Sequence, residues 1–107
     1  MMSLIKMKEL KGEINKKGVL MKTLVDHQNA TVRNLILKID QVIPPHEVPV
    51  DVFFYIISGK GSIQIGNTKM DVEEQDIVVC PPNTPMSVFA DKGEELSFLN
   101  VKTPKLQ

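Results

Sequence analysis

From Val19 onward, apolar and polar side chains alternate with a period of two, the spacing of a pleated strand with one buried face. Val19 to Asp26 reads as a strand with Val19, Met21, Thr23 and Val25 on one face, followed by a polar turn over Asp26 to Ala30. Thr31 to Gln41 alternates again, Leu35, Leu37 and Ile39 against Asn34, Lys38 and Asp40. Pro44-Pro45 is expected to end that strand, because neither proline can donate to a ladder. Val52 to Ile57 is apolar on both faces, so cover is expected on both sides. Ser58-Gly59-Lys60-Gly61 reads as a break, after which Ile63 and Ile65 alternate with Ser62 and Gln64. Gly66-Asn67 suits a tight hairpin leading into Lys69 to Val72. Ile77 to Cys80, Met86 to Ala90 and Glu95 to Lys102 complete the set, punctuated by Pro81-Pro82-Asn83-Thr84-Pro85 and Asp91-Lys92-Gly93-Glu94.

This succession of short strands, with a turn signal about every 8–12 residues, predicts an antiparallel all-β sandwich or barrel. A helix competes only over Ile5 to Lys17, where Met7, Leu10 and Ile14 are three and four residues apart. Gly12 weakens that helix by about 1 kcal/mol relative to alanine, and helix and extended arm both stay open. The expected organisation is an N-terminal arm over residues 1–17 and one barrel domain over residues 18–107.

Composition narrows the class. A chain of 107 residues, 42% apolar and 24% charged, can build one hydrophobic core. A formal net charge of zero argues against nucleic acid as a partner, since phosphate binding needs a net basic face. Lys6, Lys8, Lys11, Lys16 and Lys17 are interleaved with Glu9 and Glu13, as on a solvated arm. The lone Cys80 precludes an intramolecular disulfide and points to a reducing, cytoplasmic setting. No stretch approaches the roughly 20 apolar residues that span a bilayer, and Met1 to Ile5 lacks the apolar core of a secretion signal. Neither membrane nor nucleic acid is expected as a partner.

Ile43 to Ala90 resembles the two signature motifs of the cupin superfamily. The first runs from Pro45-His46-Glu47-Val48 through Val52-Phe53-Phe54-Tyr55 to Ser58-Gly59-Lys60-Gly61; the second runs from Glu74-Gln75-Asp76 through Cys80 to Pro82-Asn83-Thr84-Pro85-Met86. The resemblance extends over about residues 18–103 and implies a double-stranded β-helix, the jelly-roll (RmlC-like) cupin barrel of the small single-domain type. It also implies a metal centre of three histidines and a glutamate. Here His46 stands at the first histidine, but Val48, Val52 and Met86 stand at the second histidine, the glutamate and the third histidine. A lone imidazole cannot hold a divalent ion against water, because such centres need about three protein ligands. No metal, no other cofactor and no catalytic residue are therefore expected.

With the metal ligands gone, the expected function is small-molecule binding in an apolar barrel pocket lined by His46, Val48, Val52, Phe54, Met86 and Val88. Two alternatives stand beside it. One is a divergent metal-dependent enzyme, an oxygenase or isomerase, built on His46 and Asp51 with Met86 as a further candidate ligand. The other is a structural or interaction module working as a homodimer through the two-faced Val52–Ile57 strand. Cys80, at the end of an apolar strand with no cation beside it in sequence, reads as a buried structural thiol. His27, among Asp26, Gln28 and Asn29, reads as a solvated turn residue.

Overall fold

The structure, a computed structural model, describes residues 2–106; Met1 and Gln107, the outer ends of the expected arm and barrel segments, lie outside the described residues. Nine strands follow a short 3-10 turn at Met7–Glu9: β1 (Glu13–Ile14), β2 (Leu20–His27), β3 (Ala30–Leu37), β4 (Val42–His46), β5 (Asp51–Ile65), β6 (Thr68–Glu73), β7 (Ile77–Cys80), β8 (Met86–Ala90) and β9 (Leu96–Thr103). All pairings are antiparallel. They form the order β1-β2-β3-β9-β5-β8-β4, with β6 and β7 also paired to β5. This is the antiparallel all-β barrel that the alternation and turn spacing predict, in the jelly-roll form, the double-stranded β-helix, that the cupin resemblance implies.

β5 joins the two sheets. Its first half pairs with β9 and β7, its second half with β8 and β6. What reads in sequence as a break at Ser58–Gly61 is a bend inside one 15-residue strand. The register against β9 shifts between Ile56 and Ser58, a bulge that re-aims the pleat. Before it the even residues Val52, Phe54 and Ile56 are buried; after it Ile63 is. The corner demands glycine twice. Gly59 has φ +90, and a Cβ there would lie 1.9 Å from the Glu95 carbonyl oxygen. At Gly61 a Cβ would meet the Phe89 carbonyl at 2.2 Å.

Pro44-Pro45 does not end a strand. Both prolines lie within β4, which pairs only with β8 and closes the strand order as an edge. The register shifts between Ile43 and His46, across the two residues that lack an N–H. In the arm the helix loses to extended chain. Gly12 sits at φ +74, with a would-be Cβ 2.8 Å from the Met21 carbonyl, and Glu13–Ile14 pairs with Met21 and Leu20.

The core runs along the barrel, from Leu37 and Leu96 to Val52, Cys80 and Met86. Leu37, Ile56, Ile63, Leu96 and Phe98 are fully buried, and the Phe54 and Phe98 rings pack with centroids 5.7 Å apart at a 60° tilt. Asn34, also buried, donates through Nδ2 to Ser97 Oγ at 3.0 Å and to the Phe98 carbonyl at 3.0 Å, so its burial leaves no donor stranded.

Candidate functional site

On the inner faces of β3 and β9 the chemistry changes partway along the strand. The register pairs Leu37 with Leu96, Leu35 with Phe98, Arg33 with Asn100 and Thr31 with Lys102. Two apolar rows therefore give way to two polar ones, and there a cavity of about 650 Å³ opens. Its floor is apolar: Met21, Leu35, Ile43, Phe54 and Val88. Its wall carries Arg33, Lys102, Asn100 and His46, and Asn15, Lys16 and Lys17 come from the arm side. Asn15 is held in place by its own turn, its Oδ1 accepting from the Lys17 and Val19 N–H groups at 2.9 and 3.0 Å.

His46, Phe54 and Val88 border this cavity. Val52 and Met86 are not among the lining residues; they are 1% exposed, as buried as Val88, and Val48 packs against the same core. The two motifs nevertheless meet as the resemblance implies. His46 pairs with Met86 across β4 and β8, and the Asn83 N–H donates to the Val48 carbonyl at 2.8 Å. Asn83 takes φ +58, the left-handed position expected of the Pro82-Asn83 turn. Asp51 is exposed, shares the outward parity of Phe53, and does not line the cavity.

The donor set at the positions of the cupin metal ligands is one imidazole, two isopropyl groups and a thioether. The valines offer no lone pair, so these residues do not fit a divalent ion. No group of three or more His, Cys, Asp or Glu comes together among the described residues.

Electrostatics sets the character of the wall. Lys102 is half-buried and donates to Asn100 Oδ1 at 3.1 Å. Burial, with Arg33 and Lys17 nearby, pushes its ammonium below the ordinary lysine value. Burial also pushes the His46 imidazole down; the Pro44 carbonyl opposes this, while Lys17 and Lys102 add to it. His46 Nδ1 lies 3.1 Å from that carbonyl, which can only accept, so Nδ1 carries the proton and the neutral ring keeps its lone pair on Nε2. Cys80 is buried, its Sγ 3.5 Å from the carbonyls of Pro81 and Thr84, and burial raises its thiol. His27 is exposed and accepts from the Asn29 N–H through Nδ1 at 3.1 Å.

Reading the alternation for apolar positions alone misses Arg33, Asn100 and Lys102. The signal was parity: Arg33 shares the parity of Leu35 and Leu37, and Asn100 and Lys102 share that of Leu96 and Phe98. A cation on the buried parity of a strand is uncommon and needs a partner or access to solvent.

The family model for the cupin domain matches residues 35–102, well over half of the chain. The chain belongs to the cupin family. No curated protein matches it. Among solved structures, this cupin is similar to a conserved protein of unknown function from Streptococcus pyogenes, at 25% identity over 99% of this chain and 98% of that one, with a TM-score of 0.76. It is also similar to KdgF from Halomonas sp., at 16% identity over 98% and 96% of the two chains and a TM-score of 0.86. The polyketide cyclase RemF from Streptomyces resistomycificus aligns at 17% identity over 99% and 82%, with a TM-score of 0.88. At such identities the last two establish a shared fold and nothing about chemistry. No helix among the described residues is long and apolar enough to cross a membrane.

Proposed function

We propose that this cupin is a metal-free binding protein that holds a small organic molecule in the cavity at the barrel mouth. The observation that carries the reading is the pairing of a 650 Å³ cavity that has an apolar floor with a metal-ligand set reduced to His46. An oxygenase or isomerase built on His46 and Asp51 would need Asp51 turned inward, against the pleat that buries Val52. Two measurements test the proposal. Protein purified without chelators or affinity metals is expected to contain no stoichiometric transition metal; a stoichiometric ion overturns the metal-free reading. In an NMR titration with 1-naphthylacetate and its neutral amide, at least one probe is expected to shift the amides of Phe54, Val88 and Asn100. No shift with either of these, nor with 1-naphthyl phosphate, at millimolar concentration overturns the binding reading.

We also propose that a second copy of the chain covers the outer face of the larger sheet. Phe53 pairs with Val79 and Tyr55 with Ile77, while Leu99 and Val101 flank them from β9. Phe53, Ile77 and Val79 remain 38%, 61% and 68% exposed. The patch contains no charged residue, so a twofold copy of itself is a suitable cover. Light scattering at micromolar concentration should give a dimer mass, and Val79→Asp should give a folded monomer. A monomer mass for the unaltered chain would exclude this interface.

A further inference from the structure

The charge on the cavity wall narrows what the cavity binds. Arg33 and Lys102 come from neighbouring strands, one register step apart on the inner face, and both are half-buried. Lys16 and Lys17 add two exposed cations at the rim. No Asp or Glu lines the cavity. The ion pairs among the described residues are Lys38 with Glu95 at 3.0 Å and Lys105 with Asp26 at 2.8 Å, so neither Arg33, Lys102 nor Lys17 is neutralised by an ion pair there. Asp26, a carboxylate close enough to feel Arg33, is held by Lys105.

Like charges gathered on a partly desolvated wall cost free energy, and nothing in the packing requires them. The same inner-face positions one step deeper are filled by Leu35 and Phe98. The guanidinium contacts Thr23 Oγ1 only at 3.4 Å, and the ammonium contacts Asn100 Oδ1. Most of their N–H donors are therefore free for a guest. Below them lie Phe54, Ile43 and Val88, which offer only apolar contact.

We infer that the ligand is an amphipathic organic anion whose carboxylate or phosphate oxygens are held between Arg33 and Lys102 while its apolar body rests on Phe54, Ile43 and Val88. The inference rests on the small-molecule binding proposed above and adds the chemical class of the guest. A guanidinium presents two parallel N–H groups to either head group, and an ammonium beside it supplies a further charge-assisted hydrogen bond.

The test uses three naphthalene probes differing only in the head: 1-naphthylacetate, 1-naphthyl phosphate and the neutral 1-naphthylacetamide, titrated into the full chain by NMR at low and high salt. At least one anion should bind about tenfold or more tightly than the amide, as charge-assisted hydrogen bonds imply. That advantage should shrink as salt rises. Which anion wins distinguishes a carboxylate guest from a phosphate ester. Arg33→Gln and Lys102→Gln should each remove most of the preference while leaving amide binding in place, whereas Lys38→Gln, at the opposite end of the barrel, should leave it intact. Should the amide bind as well as both anions, or Lys38→Gln cost as much as Arg33→Gln, the anion assignment is overturned and the cavity reading survives. Should none of the three bind, both fall.

Discussion

The two ends of the barrel are made from the same strands and differ in what those strands turn inward. At the end where β9 begins, Leu96, Phe98 and Leu37 are buried without a gap and Ile56 and Ile63 close over them. Outside that packed end a depression of about 490 Å³ is edged by three carboxylates, Glu73, Glu74 and Glu94, with Lys60 among them. At the end where β9 finishes, Asn100 and Lys102 take the inward positions, Arg33 stands opposite Asn100, and the interior opens into the cavity. The ladder between β3 and β9 runs unbroken through both. The difference teaches that one pair of strands can give apolar rows to the core and polar rows to a cavity wall: the former hold the barrel together, and the latter carry charge.

If that division holds, the largest effect belongs to the packed end. Phe98→Ala should cost about 3–5 kcal/mol of unfolding free energy, as expected for emptying a fully buried aromatic site, read by urea denaturation. A loss below 1 kcal/mol would mean that this end is not the keystone. Next comes the corner of β5. Gly59→Ala forces a side chain into a positive-φ position against the Glu95 carbonyl, and should cost about 1–3 kcal/mol; an unchanged urea midpoint would contradict the bend described.

At the mouth the sign changes. Lys102→Met keeps the apolar stem and removes a disfavoured charge, so stability should stay within about 0.5 kcal/mol of the unaltered protein or rise. A clear loss would make Lys102 a structural residue and blur the contrast between the ends. The smallest effect is the pH dependence carried by His46. Its folded value lies below the ordinary 6.5, so between the two values the unfolded chain binds more protons and stability rises with pH. Stability should therefore fall as the solution is acidified through 6.5 and level off once the folded ring is protonated too. His46→Gln should remove that part of the slope in a series of urea titrations; an unaltered slope would place the imidazole in free solvent.

The strands were largely legible because alternation is local. A residue's place in the pleat follows from its neighbours two positions away, and so Ile77–Cys80 and Met86–Ala90 read directly. The turns at Gly66-Asn67 and Pro82-Asn83 were legible for the same reason: Gly66 and Asn83 both take positive φ. Proline misled at β4, since whether Pro44-Pro45 ends a strand depends on which neighbour lies beside it, and there only β8 does. Val52 and Met86 share the inward parity and pair with Lys102 and His46, yet they do not border the cavity, and no single strand encodes which buried side chains do.

Sequence alone determined that the chain alternates into an all-β barrel, and its motifs, by their resemblance to cupins, put valine and methionine at the positions of that family's metal ligands. These are properties of side chains and of short-range backbone geometry. Only the tertiary structure decided that Arg33, His46 and Lys102 share one cavity. Residues on three strands meet there through pairing register, which is chosen by the collective burial of the core.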